Sequence, residues 1–262
     1  MLVALTTDTH YGWDHNTDKI HRKKLIALKA EMEKRNCGIL LHTGDWSCNK
    51  QKSLFRTWAI FREILGDSVR ILGVRGNHDF WFADDHRHPT FKDRTWDALF
   101  QRHVDNAALH KVELLSNSGP VVIGDTWFGG FDGWYEIKDA PSNDRYCMPD
   151  FGPDGQDTFV FMQSRAQKQL QAALDQMPAD KFKVLLTHFP LIEGKLYKGV
   201  NLNGNPRWFD FLVNQVDVLC WGHTHEAVDY VWRGVRCVNA GSGYNAFQYY
   251  FMEVGGCSVT AA

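Results

Sequence analysis

Val69-Arg70-Ile71-Leu72-Gly73-Val74-Arg75-Gly76-Asn77-His78-Asp79 is the stretch that decides the fold. Val69–Val74 is mainly apolar and reads as a buried strand, and at Gly76 it breaks into an amide, an imidazole and a carboxylate. Upstream the same sentence is written twice more. Gly38–His42 ends on Gly44-Asp45, and Leu2–Thr7 ends on Asp8-Thr9-His10. Between these strands, Asp18–Arg35 carries Leu25, Leu28 and Met32 at helical spacing, with Asn16 or Thr17 as a candidate cap. Leu54, Trp58, Phe61 and Leu65 mark a second amphipathic helix, stopped by Gly66. A β-α-β-α-β series calls for a parallel sheet with right-handed crossovers.

Downstream, residues 80–110 hold a short predicted helix around Thr95–His103 among many charges and histidines. Val121–Ile123 and Thr126–Phe131 are predicted strands, followed by a loop from Asp132 to Gln156 rich in Gly, Pro, Asp and aromatics. A helix containing Leu170, Ala173, Leu174 and Met177 leads to strand Lys183–Leu186, which ends on Thr187-His188. Val216–Trp221 ends on Gly222-His223-Thr224-His225. Val228–Trp232 and Val235–Val238 straddle Arg233-Gly234 like a hairpin, and Phe247–Val254 adds a strand. Parallel early strands and antiparallel late ones predict two packed sheets with outer helices. No repeat or linker divides the chain, so a single domain over residues 1–262 is expected.

Polar motifs at strand ends are where an α/β fold places ligands and catalytic groups. One such motif is noise, since a lone Asp there is usually a turn former and a lone His usually structural. Five in series point to metal. They supply Asp8, His10, Asp45, Asn77, His188, His223 and His225: three oxygen donors and four imidazoles. That is too many for one tetrahedral ion and suits two ions sharing a carboxylate, roughly 3.5–4 Å apart. The glycines Gly44, Gly76 and Gly222 fit tight turns that bring backbone close to such a site.

Composition excludes rather than selects. Net charge is −2 with both signs mixed, so no polyanion-binding surface is announced, and DNA binding is not indicated, though DNA stays open as a substrate. Met1 leads straight into a strand without a basic n-region or a long apolar one, and no window approaches the roughly 20 apolar residues of a membrane span. Cys37, Cys48, Cys147, Cys220, Cys237 and Cys257 show no CxxC spacing, which predicts reduced thiols in a cytoplasmic protein, most of them packing residues rather than ligands.

Asp-x-His, Gly-Asp, Gly-Asn-His-Asp, His and Gly-His-x-His, in this order over residues 8 to 225, resemble the calcineurin-like metallophosphoesterase superfamily. Asn239-Ala240-Gly241-Ser242 also resembles the small-residue turn after the last motif in many members. The resemblance implies a four-layer α-β-β-α sandwich of two mixed β-sheets flanked by helices, here with an aromatic-rich insert loop. It implies that Asp8, His10 and His225 hold one ion, that Asn77, His188 and His223 hold the other, and that Asp45 bridges them. His78 would then be the catalytic group beside the metals, oriented by Asp79 accepting its ring proton. The implied cofactors are two divalent or mixed-valence ions, Mn²⁺ foremost, with Fe and Zn²⁺ tolerated by the same mixed ligation. The implied reaction is in-line attack on phosphorus by a metal-bridging hydroxide.

The expected substrate is a small phosphoester, a nucleotide-like phosphodiester or phosphomonoester. Gly44-Asp45-Trp46-Ser47 lacks the Asp-Arg-Gly extension of the protein phosphatase branch, and Asp79 stands where that branch has Glu, which disfavours a protein phosphatase. Trp46, Phe80, Trp81, Phe82, Trp127, Phe128, Phe131, Trp134 and Tyr135 cluster near the motifs and offer either a base-stacking wall or plain sheet packing. Arg75, Arg145, Arg165, Lys195 and Lys198 are basic candidates for a substrate phosphate, without motif support. His42 is a candidate neighbour of the site, His86 and His88 are within its sequence reach, and His15, His21, His103 and His110 read as solvated or structural. The alternatives are a DNA repair-type nuclease and a non-catalytic metal-dependent scaffold. The filled ligand positions weigh against the scaffold, and the near-neutral charge weighs against the nuclease.

Overall fold

The computed structural model describes residues 1–12, 18–48, 51–81, 95–135, 148, 157–192, 196–197, 200–201, 204–243 and 247–255. Its first half winds as expected: β1 (Leu2–Thr6), α1 (Asp18–Lys34), β2 (Ile39–Thr43), α2 (Gln51–Leu65) and β3 (Arg70–Val74). Helix α2 stops where Gly66 turns to φ 75° and its N–H closes on the Arg62 carbonyl at 3.0 Å. Then follow α3 (Trp96–Leu109), β4 (Val112–Leu114), the short α4 (Leu115–Ser118), β5 (Val121–Ile123) and β6 (Thr126–Gly130). The second half holds α5 (Thr158–Asp175), β7 (Phe182–Leu186), β8 (Leu196–Tyr197), β9 (Val200–Asn201), β10 (Val218–Cys220), β11 (Val228–Trp232), β12 (Val235–Asn239) and β13 (Tyr249–Glu253).

Two sheets carry the fold. One has the order β13-β1-β2-β3-β4, the other β11-β12-β10-β7-β6-β5, and β8 and β9 form a separate two-stranded pair. Side chains alternate faces along a strand, and the core divides accordingly. Val3, Leu5, Ile39, Leu41, Leu72 and Val74 meet Phe128, Val184, Leu186, Val218, Cys220 and Val238 between the sheets. The intervening Ala4, Leu40 and Ile71 turn outward onto Leu25, Leu28, Leu54, Trp58 and Phe61 of α1 and α2. Trp127, Leu185 and Leu219 turn outward on the other side, toward Leu99 and Phe100 of α3 and Phe159, Met162 and Leu170 of α5. The result is an α-β-β-α sandwich of two mixed sheets.

One expectation needs correction. Within the two main sheets the later strands are antiparallel only at the edges, where β11 pairs β12, β5 pairs β6 and β13 pairs β1; β6, β7, β10 and β12 run parallel. The reason is burial on both faces, which parallel sheets favour and which crossover segments such as α5 provide. Between the two readings of the aromatics, sheet packing holds for seven of them: Trp46, Phe80, Trp127, Phe128, Phe131, Trp134 and Tyr135 are at most 1% exposed. A nucleobase could stack on none of them in this conformation. Phe82 and most of the 132–156 loop lie outside the described residues, as do the cap candidates Asn16 and Thr17 and the histidines His15, His86 and His88. No helix among the described residues is long and apolar enough to cross a membrane.

Candidate metal centre

All five motifs leave the C-terminal ends of parallel strands, β1, β2, β3, β7 and β10, so they gather at one end of the sandwich. Local conformation marks them. Of the nine non-glycine residues with positive φ among those described, five are predicted ligands: Asp8 (46°), His10 (41°), Asp45 (53°), His223 (65°) and His225 (52°). Each such conformation costs roughly 1–3 kcal/mol and persists only where surroundings enforce it. Close backbone approach does the enforcing. A Cβ on Gly222 would run into Thr7 Oγ1 and one on Gly76 into Asp45 Oδ1, so only glycine lets these turns meet. Asp8 N–H donates to Gly44 O (3.0 Å) and His10 N–H to Asp45 O (3.1 Å), locking the first two motifs together.

The carboxylates are aimed by the same backbone. Asp8 accepts from Thr7 Oγ1 (2.6 Å) and from His223 N–H (3.0 and 3.1 Å). Asp45 Oδ1 accepts from His78 N–H (2.9 Å), which leaves Oδ2 facing three imidazoles: His188 Nε2 at 3.4 Å, His10 Nε2 at 3.8 Å and His78 Nε2 at 3.9 Å. Asp8, His10 and His225 form one compact donor group; Asp45, His188 and His223 form another. Asn77 Oδ1 joins the second at 3.1 Å from His188 Nε2.

The donor set fits metal ions. His188 Nδ1 donates to the Thr43 carbonyl at 2.8 Å, so its Nε2 is the nitrogen turned into the site. Nε2 lies 3.1 Å from the Asn77 oxygen and 3.4 Å from Asp45 Oδ2, so a proton or a metal ion must sit between these atoms. His10 Nε2 and His225 Nε2 likewise face each other at 3.1 Å, and His225 Nε2 lies 3.3 Å from Asp8 Oδ1. Metal–nitrogen bonds of about 2.0–2.1 Å put neighbouring ligand atoms roughly 3–3.5 Å apart, the separation found here. Two metal-binding groups are therefore present.

Electrostatics draws protons into the same gaps. Burial works against the Asp45 carboxylate, yet His188, His78 and His10 hold its pKa well below the usual range. Burial also opposes an imidazolium at His188, but Asp45 and Asp8 push it up to about 9. His225 is raised too, burial being outweighed by Asp8. Burial and neighbouring imidazoles drive His10 and His223 far down, to neutral rings able to ligate.

Three residues differ from expectation or were missed. Asp79, predicted to take the His78 ring proton, has its oxygens on Ser47 N–H (3.1 Å) and Gly76 N–H (2.9 Å), so it holds the two turns together. Burial and the nearby Asp45 push its pKa up to about 8. Cys48, taken as packing, touches His78 Nδ1 (3.4 Å) and His10 Nδ1 (3.8 Å), on the ring edges opposite the Nε2 atoms. Tyr135, hidden among the aromatics, brings its hydroxyl within 3.1 Å of His223 Nε2. No spacing rule marks either residue, because only the fold brings them there. His42 does flank the site: its Nδ1 accepts from Gly44 N–H (3.2 Å), its Nε2 meets Thr9 Oγ1 (3.2 Å), and its ring stacks on Trp46 at 3.6 Å. Arg75 is fully buried and points away into its own ion pair, while Arg145, Lys195 and Lys198 lie outside the described residues.

A model of the calcineurin-like phosphoesterase family matches residues 1–227, which include all five motifs. Among curated proteins, none matches the chain. Among solved structures, the phosphopantetheinyl hydrolase PptH of Mycobacterium tuberculosis superposes with a TM-score of 0.71 at 16% identity, covering 92% of this chain and 89% of that one. A dimetal phosphatase from Danio rerio gives 0.59 at 11% identity, covering 96% and 91%. A protein of Thermus thermophilus gives 0.55 at 12%, covering 96% and 97%. At these identities the likeness is one of fold.

Proposed function

We propose, from the premise that the chain belongs to the calcineurin-like phosphoesterase family, that it hydrolyses a small phosphoester at two metal ions. Asp8, His10 and His225 would hold one ion, Asn77, His188 and His223 the other, with Asp45 shared. The observation that carries this is the reach of a single oxygen: Asp45 Oδ2 lies within 3.8 Å of His10 Nε2 in one group and 3.4 Å of His188 Nε2 in the other. Two divalent ions, when bound, supply positive charge to the phosphoryl oxygens and lower the pKa of the attacking water. Mn²⁺ is the foremost candidate, Fe and Zn²⁺ being compatible with the same oxygen and imidazole donors.

The chain's own residues do the positioning. Because Asp45 Oδ1 takes the His78 N–H, the shared carboxylate and the third motif are fixed as one unit. His78 is set from two sides, by Cys48 Sγ at its Nδ1 and by Trp81, whose ring centroid lies 3.7 Å away. Its Nε2 therefore points into the site, where it can hydrogen-bond a phosphoryl oxygen or give a proton to the leaving oxygen. Such help is worth about 10²–10⁴-fold. Asp79 keeps the Ser47 and Gly76 turns in register beneath it. With Trp46, Phe80, Trp127, Phe128, Phe131, Trp134 and Tyr135 consumed by the core, none of these seven offers a nucleobase a stacking face, which favours recognition through the phosphoryl group.

The test is hydrolysis of bis-p-nitrophenyl phosphate and p-nitrophenyl phosphate after metal stripping and Mn²⁺ reloading, alongside Asp45→Ala. Metal-dependent turnover that the variant lacks is expected, and the diester-to-monoester ratio assigns the substrate class. No turnover with any metal, at two bound ions per chain, would overturn the proposal.

A further inference from the structure

A cavity of about 300 Å³ opens between α4 and α5, outside the metal groups, at the low end of the range for small-molecule sites. Ser116, Asn117 and Gly119 line it from one side, Arg165, Lys168 and Gln169 from the other. Its charge does not balance. Arg165 and Lys168 both face it, and behind them the Arg75 guanidinium reaches Ser116 Oγ (3.5 Å) and Asn117 Oδ1. Asp132, a carboxylate that acts on Arg165, is already engaged by Arg75 Nη2 (2.7 Å), Ser116 Oγ (2.7 Å) and Gln169 Nε2 (3.2 Å). Asp97 is the other acid acting on Arg165. Arg165 lies over the Phe100 ring, 3.5 Å from its centroid, and among the described residues its buried Nε has no hydrogen-bond partner. Burial and Arg75 together lower its pKa, as expected of a cation short of a counter-charge.

A half-buried guanidinium, an ammonium one helical turn away and the Asn117 amide opposite make a site for a tetrahedral oxyanion. We propose that this cavity binds a phosphoryl group, as inorganic phosphate or as part of a small phosphorylated molecule, independently of the metal groups. Its position gives occupancy a route to the motifs. Ser116 and Gln169 both hold Asp132, whose Oδ1 takes the Arg75 N–H (3.0 Å) just before Gly76-Asn77-His78, and whose carbonyl takes the His188 N–H (3.2 Å).

The experiment is an amide-resolved NMR titration of the full Zn²⁺-loaded chain with inorganic phosphate. Saturable shifts are expected at the Gly119 backbone and the Gln169 side-chain amide, distinct from those at Gly44, Gly76 and Gly222 beside the metals. Lys168→Ala, at an exposed side chain, and Arg165→Gln should each weaken the Gly119 response about tenfold or more, the worth of one charge-assisted hydrogen bond. Repeating the titration with glycerol 3-phosphate separates the two sources: tighter binding indicates a phosphorylated metabolite, equal binding free phosphate. Shifts confined to the metal-side glycines, or a Gly119 response unchanged by both variants, would overturn the proposal.

Discussion

Two buried polar clusters sit side by side behind the third motif, and they are built on opposite rules. In the metal groups ligand atoms crowd together with no donor from the described residues fixed between them: His188 Nε2 lies 3.1 Å from Asn77 Oδ1 and 3.4 Å from Asp45 Oδ2, and His10 Nε2 lies 3.1 Å from His225 Nε2. Around Arg75 donors face acceptors: the guanidinium spans both oxygens of Asp132 (3.3 and 2.7 Å) and lies 5.1 and 5.0 Å from the Phe80 and Phe100 ring centroids. The first arrangement needs an added proton or a metal ion to hold its ligand atoms together. The second is complete without one. Burial is thus not what separates a functional cluster from a structural one, since both are almost fully buried. The separating feature is whether the positive charge comes from a fixed guanidinium or must be supplied as protons or metal ions.

Substitutions should divide along that line. The largest effect belongs to Asp45→Ala, which removes the oxygen common to both donor groups; activity should fall to background and metal content per chain should drop, both readable by assay and elemental analysis. His78→Ala should cost about 10²–10⁴-fold in kcat while leaving metal content intact; a parallel loss of metal would instead make His78 a ligand. Asp132→Ala should act on folding, because it strands the buried Arg75 charge, with a loss of about 3–5 kcal/mol in denaturant unfolding. An equal effect on the metal-stripped and metal-loaded protein would confirm that this cluster is structural.

Tyr135→Phe tests the boundary between the clusters. The hydroxyl on His223 Nε2 directs that ring, so its removal should weaken metal affinity about 10–100-fold with little change in unfolding. The smallest effect is in acid. Burial opposes the Asp132 carboxylate, but Arg75 holds its pKa below the usual value. A depressed folded pKa means stability present above the unfolded value of about 3.9 and lost as pH falls through the folded one. Asp132→Asn should therefore be less stable at neutral pH and flatter below pH of about 4, as thermal unfolding at stepped pH will show.

Much of this was legible in the chain. Strand runs ending in Asp8, Asp45, Asn77, His188 and His223 are local patterns, whereas Val3, Ala4 and Leu5 are all apolar and only the structure divides them between the two faces. The direction of β6, β7, β10 and β12 was less so, because a strand's partner lies far away in sequence and its own residues do not name it. The same holds for β4, a three-residue strand too short to carry a period.

By itself the sequence determined the order of the longer elements and the residue types that end their strands, because hydrophobic period and residue chemistry are properties of short windows. Only the tertiary structure decided where donors converge. It brought Cys48 and Tyr135 to the histidines, turned Asp79 onto two backbone amides, buried the aromatic wall and left Arg165 beside a cavity. The physical reason is that a hydrogen bond or an ion pair acts over a few ångströms in space, and chain separation carries no record of that distance.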